Sequence, residues 1–284
     1  MNAAPQLHWP AEALRQAIAA QLPGFGVEVL PRVDSTNTEL MRRARAGHLA
    51  PTLLVAEQQT AGRGRLGRSW HSGAACAATG APPALTFSLA LQLAPQDWSG
   101  LSLAVGVCVA EALQPQLPPQ GSATPAILLK WPNDLWLQGD RKLGGILVET
   151  AAFGARESRS DAGRSVIVGV GINLLPLPAQ GLSTPPASLS EVAPALDAPT
   201  ALARIAPPLV QALQGFAAYG FAPFAARFAQ RDCLRGRDVL LSDGTEGTAH
   251  GVADDGALHV MTATGLRRVA SAEISVRPRA AHAS

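Results

Sequence analysis

Lysine is nearly missing from this chain of 284 residues. Of its 23 basic side chains only Lys130 and Lys142 are lysines, and both fall in one short segment. Asparagine is almost as scarce: there are four, and Asn37, Asn133 and Asn173 lie in short polar stretches inside apolar sequence. A chain this rich in Ala, Arg, Gly and Pro bears the mark of GC-rich coding, in which drift replaces both residue types wherever their chemistry is dispensable. Lysine differs from arginine in being a compact charge on a flexible stem, able to reach a single oxygen. Chance can also put two lysines side by side, so the residues around them decide.

Other scarcities exclude whole classes. The cysteines number three (Cys76, Cys108 and Cys233), odd and far apart. They offer no disulfide framework and no metal knuckle, and they point to a reducing compartment. The histidines are scattered singly, without zinc-ligand spacing. No apolar run approaches the ~18 residues of a membrane helix. The start, Met1 to Trp9, lacks a basic region followed by a hydrophobic run, so no secretory signal is expected and a cytoplasmic location is the default. A formal net charge of +2 is too small to argue for a nucleic-acid partner.

What is present is ordinary globular material, 47% apolar and 15% charged. Helices are expected at 10–22, at Thr36–Ala46 with Thr36 and Glu39 as a capping box, at Leu101–Leu113, at Thr200–Tyr219 with a disturbance at Pro207-Pro208, and at Phe221–Gln230. Strands are expected at Val27–Val33, Thr52–Ala56, Leu85–Leu93, Ile127–Trp131, Gly145–Thr150 and Val166–Ile172. Two connections read as loose, Gly73–Pro83 and Gly154–Arg164, and residues 176–199 read as a long surface excursion. From Arg237 onward, short alternating stretches are separated by Asp243-Gly244 and Asp255-Gly256, which are hairpin turns. The expected organisation is an α/β body over 1–230 and a small β-barrel over 231–284.

Chemistry concentrates in a few segments. Gln59-Thr-Ala-Gly62-Arg63-Gly64-Arg65-Leu-Gly67-Arg68-Ser-Trp70 has the glycine spacing of a dinucleotide fingerprint, but no helical pattern follows it, as that fingerprint requires. A glycine loop carrying three arginines would instead close over a polyanion, with backbone amides and guanidinium forks on its oxygens. Taken alone, it fits a solvated basic turn equally well. In Lys130-Trp131-Pro132-Asn133-Asp134 a strand delivers Lys130 and Trp131 to its end and Asn133-Asp134 sits on a turn; alone, this is a simple Pro-Asn-Asp turn. Lys142 follows the polar hairpin Gln138-Gly-Asp140 and precedes Gly144-Gly145, where bare backbone can approach a ligand ring beneath an ammonium. Asn173 ends the strand Val168–Ile172 with one amide. Asp34-Ser35-Thr36-Asn37 opens a helix, where hydroxyls cap and where ligand carbonyls or anions are also favoured.

In this order the segments resemble a biotin–protein ligase. The matching stretches are Asp34–Asn37, Gln59–Trp70, Lys130–Asp134, Lys142–Glu149 and Gly169–Asn173. The resemblance is strong over roughly 30–175, and residues 176–284 match in layout only. It implies a class II synthetase-like catalytic domain, a mixed sheet flanked by helices, followed by an SH3-like β-domain. It implies activation of biotin by ATP to biotinyl-5′-AMP with loss of pyrophosphate, then transfer to a lysine of a biotin carboxyl carrier domain. By the same resemblance Lys142 bridges the biotin carboxylate and the α-phosphate. Arg63 and Arg65 act with it, and Arg68 stands behind them. Ser35, Thr36, Asn37 and Gln59 hold the ureido group, with backbone at Gly64 and Gly145 against the ring. Trp70, Lys130, Asn133 and Asn173 belong with Arg65, Arg68 and Lys142 to the nucleotide side. ATP, Mg²⁺ and biotin are the small molecules implied; Mg²⁺ rides mostly on phosphate oxygens, no protein ligand for it is assigned, and no tightly bound metal or redox cofactor is expected.

The sequence departs from the family pattern between the arginine loop and the next strand. There the family has a short Asn-bearing link and this chain has a long small-residue stretch, Ser72–Pro83. Only about 30 residues precede Asp34, too few for the DNA-binding module that some members carry, so an enzyme without a repressor function is expected. The rivals are a lipoate–protein ligase, which shares the acyl-adenylate logic but not the Gly-Arg-Gly-Arg and Lys-Trp-Pro-Asn-Asp segments; a DNA-binding regulator, supported only by arginine richness; and a catalytically dead biotin-binding module, at odds with the intact lysine pair. Neither DNA nor a membrane is an expected partner.

Overall fold

The computed structural model describes residues 7–48, 50–73, 82–151, 164–179, 181–270, 274 and 276–278. Its elements in chain order begin with α1 (Ala11–Ala19), β1 (Gly26–Val33), α2 (Thr36–Arg45), β2 (Thr52–Gln59), β3 (Gly62–Arg63), β4 (Ser69–Trp70), β5 (Ala84–Leu93) and α3 (Leu101–Leu113). They continue with β6 (Ile127–Lys130), β7 (Asp134–Leu137), β8 (Arg141–Ala151), β9 (Arg164–Asn173), α4 (Ala198–Tyr219) and α5 (Ala222–Arg231). A second unit holds β10 (Asp238–Leu241), β11 (Glu246–Val252), β12 (Leu258–Thr262), β13 (Gly265–Val269) and β14 (Val276–Pro278).

The first unit is a seven-stranded sheet in the order β1-β2-β5-β9-β8-β7-β6. Only the β1–β2 pair is parallel, so the sheet is mixed. Its central strands are apolar nearly throughout because both faces are covered. On one face α3, α4 and α5 bury the large cluster that includes Phe87, Trp131, Phe216 and Phe228. On the other, α2 presses Leu40, Met41 and Ala44 onto Leu54 and Ile167. Helix α3 is apolar on most of its circumference, as befits a helix between the sheet and α4 and α5. The second unit is an antiparallel sheet in the order β13-β12-β11-β10-β14, and both Asp-Gly pairs form turns between its strands.

The structure alters several sequence expectations. The cap of α2 is Ser35, whose hydroxyl accepts from the Thr38 amide; Thr36 is already helical, and Glu39 pairs with Arg42 and Arg43 instead of reaching back. Helix α4 runs unbroken through Pro207 and Pro208. The missing amide bonds are offset by burial of Ile205, Ala206, Leu209 and Val210 on either side. Strand β7 went unread because Asn133-Asp134 carries a turn signal, yet Asp134 already pairs with Gly145. The stretch 176–199 is not simply a surface excursion: Ala187, Ser188 and Leu189 are buried, and Pro185 and Ala187 hydrogen-bond the backbone of Lys142. Of the two loose connections, residues 74–81 and 152–163 lie outside the described residues.

Candidate active site

A cleft of about 530 Å³ opens over one end of β8 and β9 and is lined by all fourteen of the residues that the resemblance assigns to catalysis, biotin or the nucleotide. Its floor is glycine. A Cβ on Gly169 would stand 2.1 Å from Asn37 Oδ1, and one on Gly171 would stand 2.5 Å from the Trp70 ring. Bare backbone therefore lets α2 and the arginine hairpin settle onto the sheet.

Lys142 owes its orientation to a bulge. Asp134 and Leu135 pair with Gly145 and Gly144, but Trp136 pairs with Lys142, which leaves Leu143 as the extra residue. A slip of one residue transfers a side chain to the opposite face. Without the bulge, Lys142 would oppose Leu137 in the core; with it, Lys142 joins Asp134 and Gly145 on the cleft face. There its Nζ donates to Asp134 Oδ1 at 2.7 Å. The Lys142 backbone is fixed as well: its N–H donates to Pro185 O, its carbonyl accepts from Ala187 N, and Asn173 Nδ2 donates to the carbonyls of Lys142 and Ala187 at 3.2 and 3.0 Å.

The other lysine is a different object. Lys130 is 8% exposed and its Nζ lies 5.1 Å from the centre of the Trp136 ring. Burial pushes its pKa below the ordinary lysine value, against the pull of Asp134. Trp131 is not presented to the cleft. It is fully buried and its indole N–H donates to Gly256 O, in the β11–β12 turn of the second unit, at 3.0 Å.

The arginine segment is a small hairpin in which β3 pairs with β4. Leu66 at φ 55° and Gly67 at φ 72° make its turn. Polar contacts help fasten it to the sheet: Arg65 Nη1 donates to Asn133 Oδ1 at 3.4 Å, and Arg63 Nη2 lies 3.1 Å from Glu149 Oε1. Asn133 passes the restraint on, donating from Nδ2 to Ile146 O at 2.7 Å. Partial burial lowers the pKa of Arg65, with Asp134 opposing the shift and Arg68 adding to it, and the half-buried residue lines the cleft.

At the other end, α2 presents a hydroxyl–amide network. Gln59 Oε1 accepts from the Thr36 amide at 2.8 Å. Ser88 Oγ lies 2.6 Å from both Thr36 Oγ1 and Asn37 Oδ1. An amide oxygen can only accept, so Ser88 donates toward Asn37, and the Thr36 hydroxyl donates onward to Gln59 Oε1 at 3.2 Å. Asn37 Nδ2 donates to Leu147 O and Glu149 Oε2. The Asn37 amide is thus held by protein, and it shapes the pocket beside Thr36.

Sequence reasoning passed over Ser88, Trp136, Glu149 and the pairing role of Asp134. Ser88 had a signal: with Thr86 it forms a period-two polar pair in a strand whose one other polar residue is Gln92, and both are buried. Glu149 had none beyond its place at the end of a matching motif.

Comparison with known proteins places the chain in a family. The model of the Biotin/lipoate A/B protein ligase family matches residues 29–173, and the chain belongs to that family. A second model, the Biotin protein ligase C terminal domain, matches residues 237–277, which sets the chain among the biotin–protein ligases. The bifunctional ligase/repressor BirA of Escherichia coli is 35% identical over 270 residues, covering 92% of this chain and 77% of the relative. The biotin–[acetyl-CoA-carboxylase] ligase of Paracoccus denitrificans is 31% identical over 254 residues, covering 87% and 98%. Among solved structures, the biotin protein ligase from Aquifex aeolicus in complex with biotin and ATP superposes with a TM-score of 0.70 at 27% identity, over 89% of this chain and 99% of that one.

Proposed function

We propose that the cleft condenses biotin with ATP to biotinyl-5′-AMP and pyrophosphate, and then passes the biotinyl group to a lysine of a biotin carboxyl carrier domain. The observation that carries this reading is the convergence of Lys142, the arginine hairpin and the Ser35–Asn37 helix start on one glycine-floored cleft.

The chemical obstacle is charge. A carboxylate, itself a weak nucleophile, must meet a polyanionic nucleotide, so positioned cations have to follow charge into the transition state. An ammonium has three N–H donors. Among the described residues Lys142 directs one to Asp134; the others take the biotin carboxylate and the α-phosphate. Asp134 and the clamped backbone fix where that charge stands, which is the condition for preorganised stabilisation. Arg63 and Arg65 close the cleft from the hairpin, and Arg68 adds charge behind them. Ser35, Thr36 and Gln59 take the ureido group of biotin, with Asn37 setting the wall beside them. Gly64 and Gly145 supply bare backbone for the ring. Trp70, Lys130, Asn133 and Asn173 serve the nucleotide side, Asn173 by fixing the Lys142 backbone. Mg²⁺ enters on the phosphate oxygens of ATP. A closed hairpin keeps water from the mixed anhydride until a carrier lysine attacks its carbonyl and AMP leaves.

The division into a catalytic unit over 1–230 and a β-unit over 231–284 belongs to the same reading, as does a cytoplasmic site of action. No helix among the described residues is long and apolar enough to cross a membrane. Incubation with ATP, Mg²⁺, biotin and a carrier domain from the same organism tests the proposal. Intact-mass analysis should show one biotinyl group on the carrier, lost when the acceptor lysine is changed to arginine. An unmodified carrier would refute the transfer step.

A further inference from the structure

Among the described residues, Glu149 is the one carboxylate whose contacts reach both the arginine hairpin and the start of α2. It stands on β8 on the same face as Gly145 and Leu147, but beyond them. Those two residues line the cleft and Glu149 does not. Both of its oxygens are engaged: Oε1 lies 3.1 Å from Arg63 Nη2, and Oε2 takes Arg63 Nη1 at 3.5 Å and Asn37 Nδ2 at 3.0 Å. Arg63 Nη1 also reaches Thr38 Oγ1 at 3.5 Å. Two of the hairpin's moorings differ in kind. Arg65 is tied to Asn133 near the lysine pair, and Arg63 is tied to Glu149 at the far end of the cleft.

The geometry points to Glu149 as a positioning residue for ligand retention. Its charge holds Arg63, and through Arg63 it holds the hairpin down over the biotin end of the cleft. This inference rests on the site reading proposed above. The carboxylate acts through Arg63 and touches no reacting atom. Glutamine at this position can still accept from Asn37 through its carbonyl, yet it cannot hold a guanidinium by charge, so Glu149→Gln separates the two contacts. The pair is partly exposed, with side-chain exposures of 48% for Arg63 and 20% for Glu149, which bounds the effect at that of a surface ion pair.

The test uses the full chain loaded with synthetic biotinyl-5′-AMP and chased with excess unlabelled ligand, so that no variant has to be active to be measured. Glu149→Gln should release the adenylate about fivefold faster than wild type, the upper end of what such an ion pair supplies, with a melting temperature close to wild type. Glu149→Asp, which keeps the charge, should release more slowly than Glu149→Gln. In an Arg63→Ala background Glu149→Gln should add nothing, because its partner is gone. Wild-type release from Glu149→Gln, or an undiminished increment in the Arg63→Ala background, would overturn the inference and leave Glu149 as a support for Asn37 alone. A wild-type chain that fails to retain the adenylate would instead bring down the site reading itself.

Discussion

Lys142 and Asp134 face each other across β7 and β8 at 2.7 Å because Leu143 is bulged out of the ladder. The pairing turns a residue destined by alternation for the core side into the cation of the cleft. Its exposed hydrogen-bonding capacity is what a carboxylate and a phosphate would share.

Lys142→Arg keeps a positive charge but replaces a point donor with a planar fork. Adenylate formation should fall at least ~tenfold, about 1.4 kcal/mol of transition-state stabilisation. Single-turnover measurement of biotinyl-5′-AMP gives the answer. Near wild-type rates would mean that any cation suffices there.

Arg65→Ala removes the contact from the hairpin to Asn133. Free biotinyl-5′-AMP should appear in solution during turnover without carrier, while the melting temperature changes little. Unchanged leakage would show that the hairpin does not confine the intermediate.

Gly171→Ala places a methyl group 2.5 Å from the Trp70 ring. Either Trp70 lifts from the sheet or the strand shifts, at a cost of about 1–3 kcal/mol. Because Trp70 is on β4, the hairpin moves with it, and the KM for ATP should rise as stability falls. A variant with wild-type KM and stability would contradict the packing described.

Asp140, in the β7–β8 turn, receives both terminal nitrogens of Arg237 at 2.6 and 2.7 Å, and so ties the Lys142 hairpin to the second unit. That hydrogen bonding holds the Asp140 carboxyl below its ordinary value of 3.8. A carboxyl with a depressed folded value binds its proton more readily when unfolded. Its stabilising contribution is complete above the ordinary value and is lost as pH falls through the lower folded one. Thermal melting of Asp140→Asn should therefore lie below wild type at neutral pH, with the gap closing in strong acid. A gap independent of pH would show that the charge is idle.

What could be read in advance, and what could not, divides along physical lines. Helix α3 was legible to the residue because a long, largely apolar run between loops has few alternatives. Lys142 and Asn173 stood out because scarce polar residues mark the ends of apolar strands, and Arg65 because it belongs to a cluster of arginines among glycines. Glu149 did not, and the signal of Ser88 was passed over, since the importance of both comes from what lies opposite them in space. Asn37 was legible as a site residue, but its hydrogen bonds into Leu147, Glu149 and Ser88 were not. Pro207 and Pro208 misled because local breaking power was weighed without the burial around them. The bulge at Leu143 leaves no trace in the alternation of the sequence; only the pairing of Trp136 with Lys142 shows it.

The most direct measurement of the central claim is pyrophosphate release by the wild-type chain with ATP and Mg²⁺, with biotin and lipoate offered separately and no carrier present. The cleft as described should release pyrophosphate with biotin and leave biotinyl-5′-AMP bound. Release with lipoate alone, or with neither acid, would contradict it.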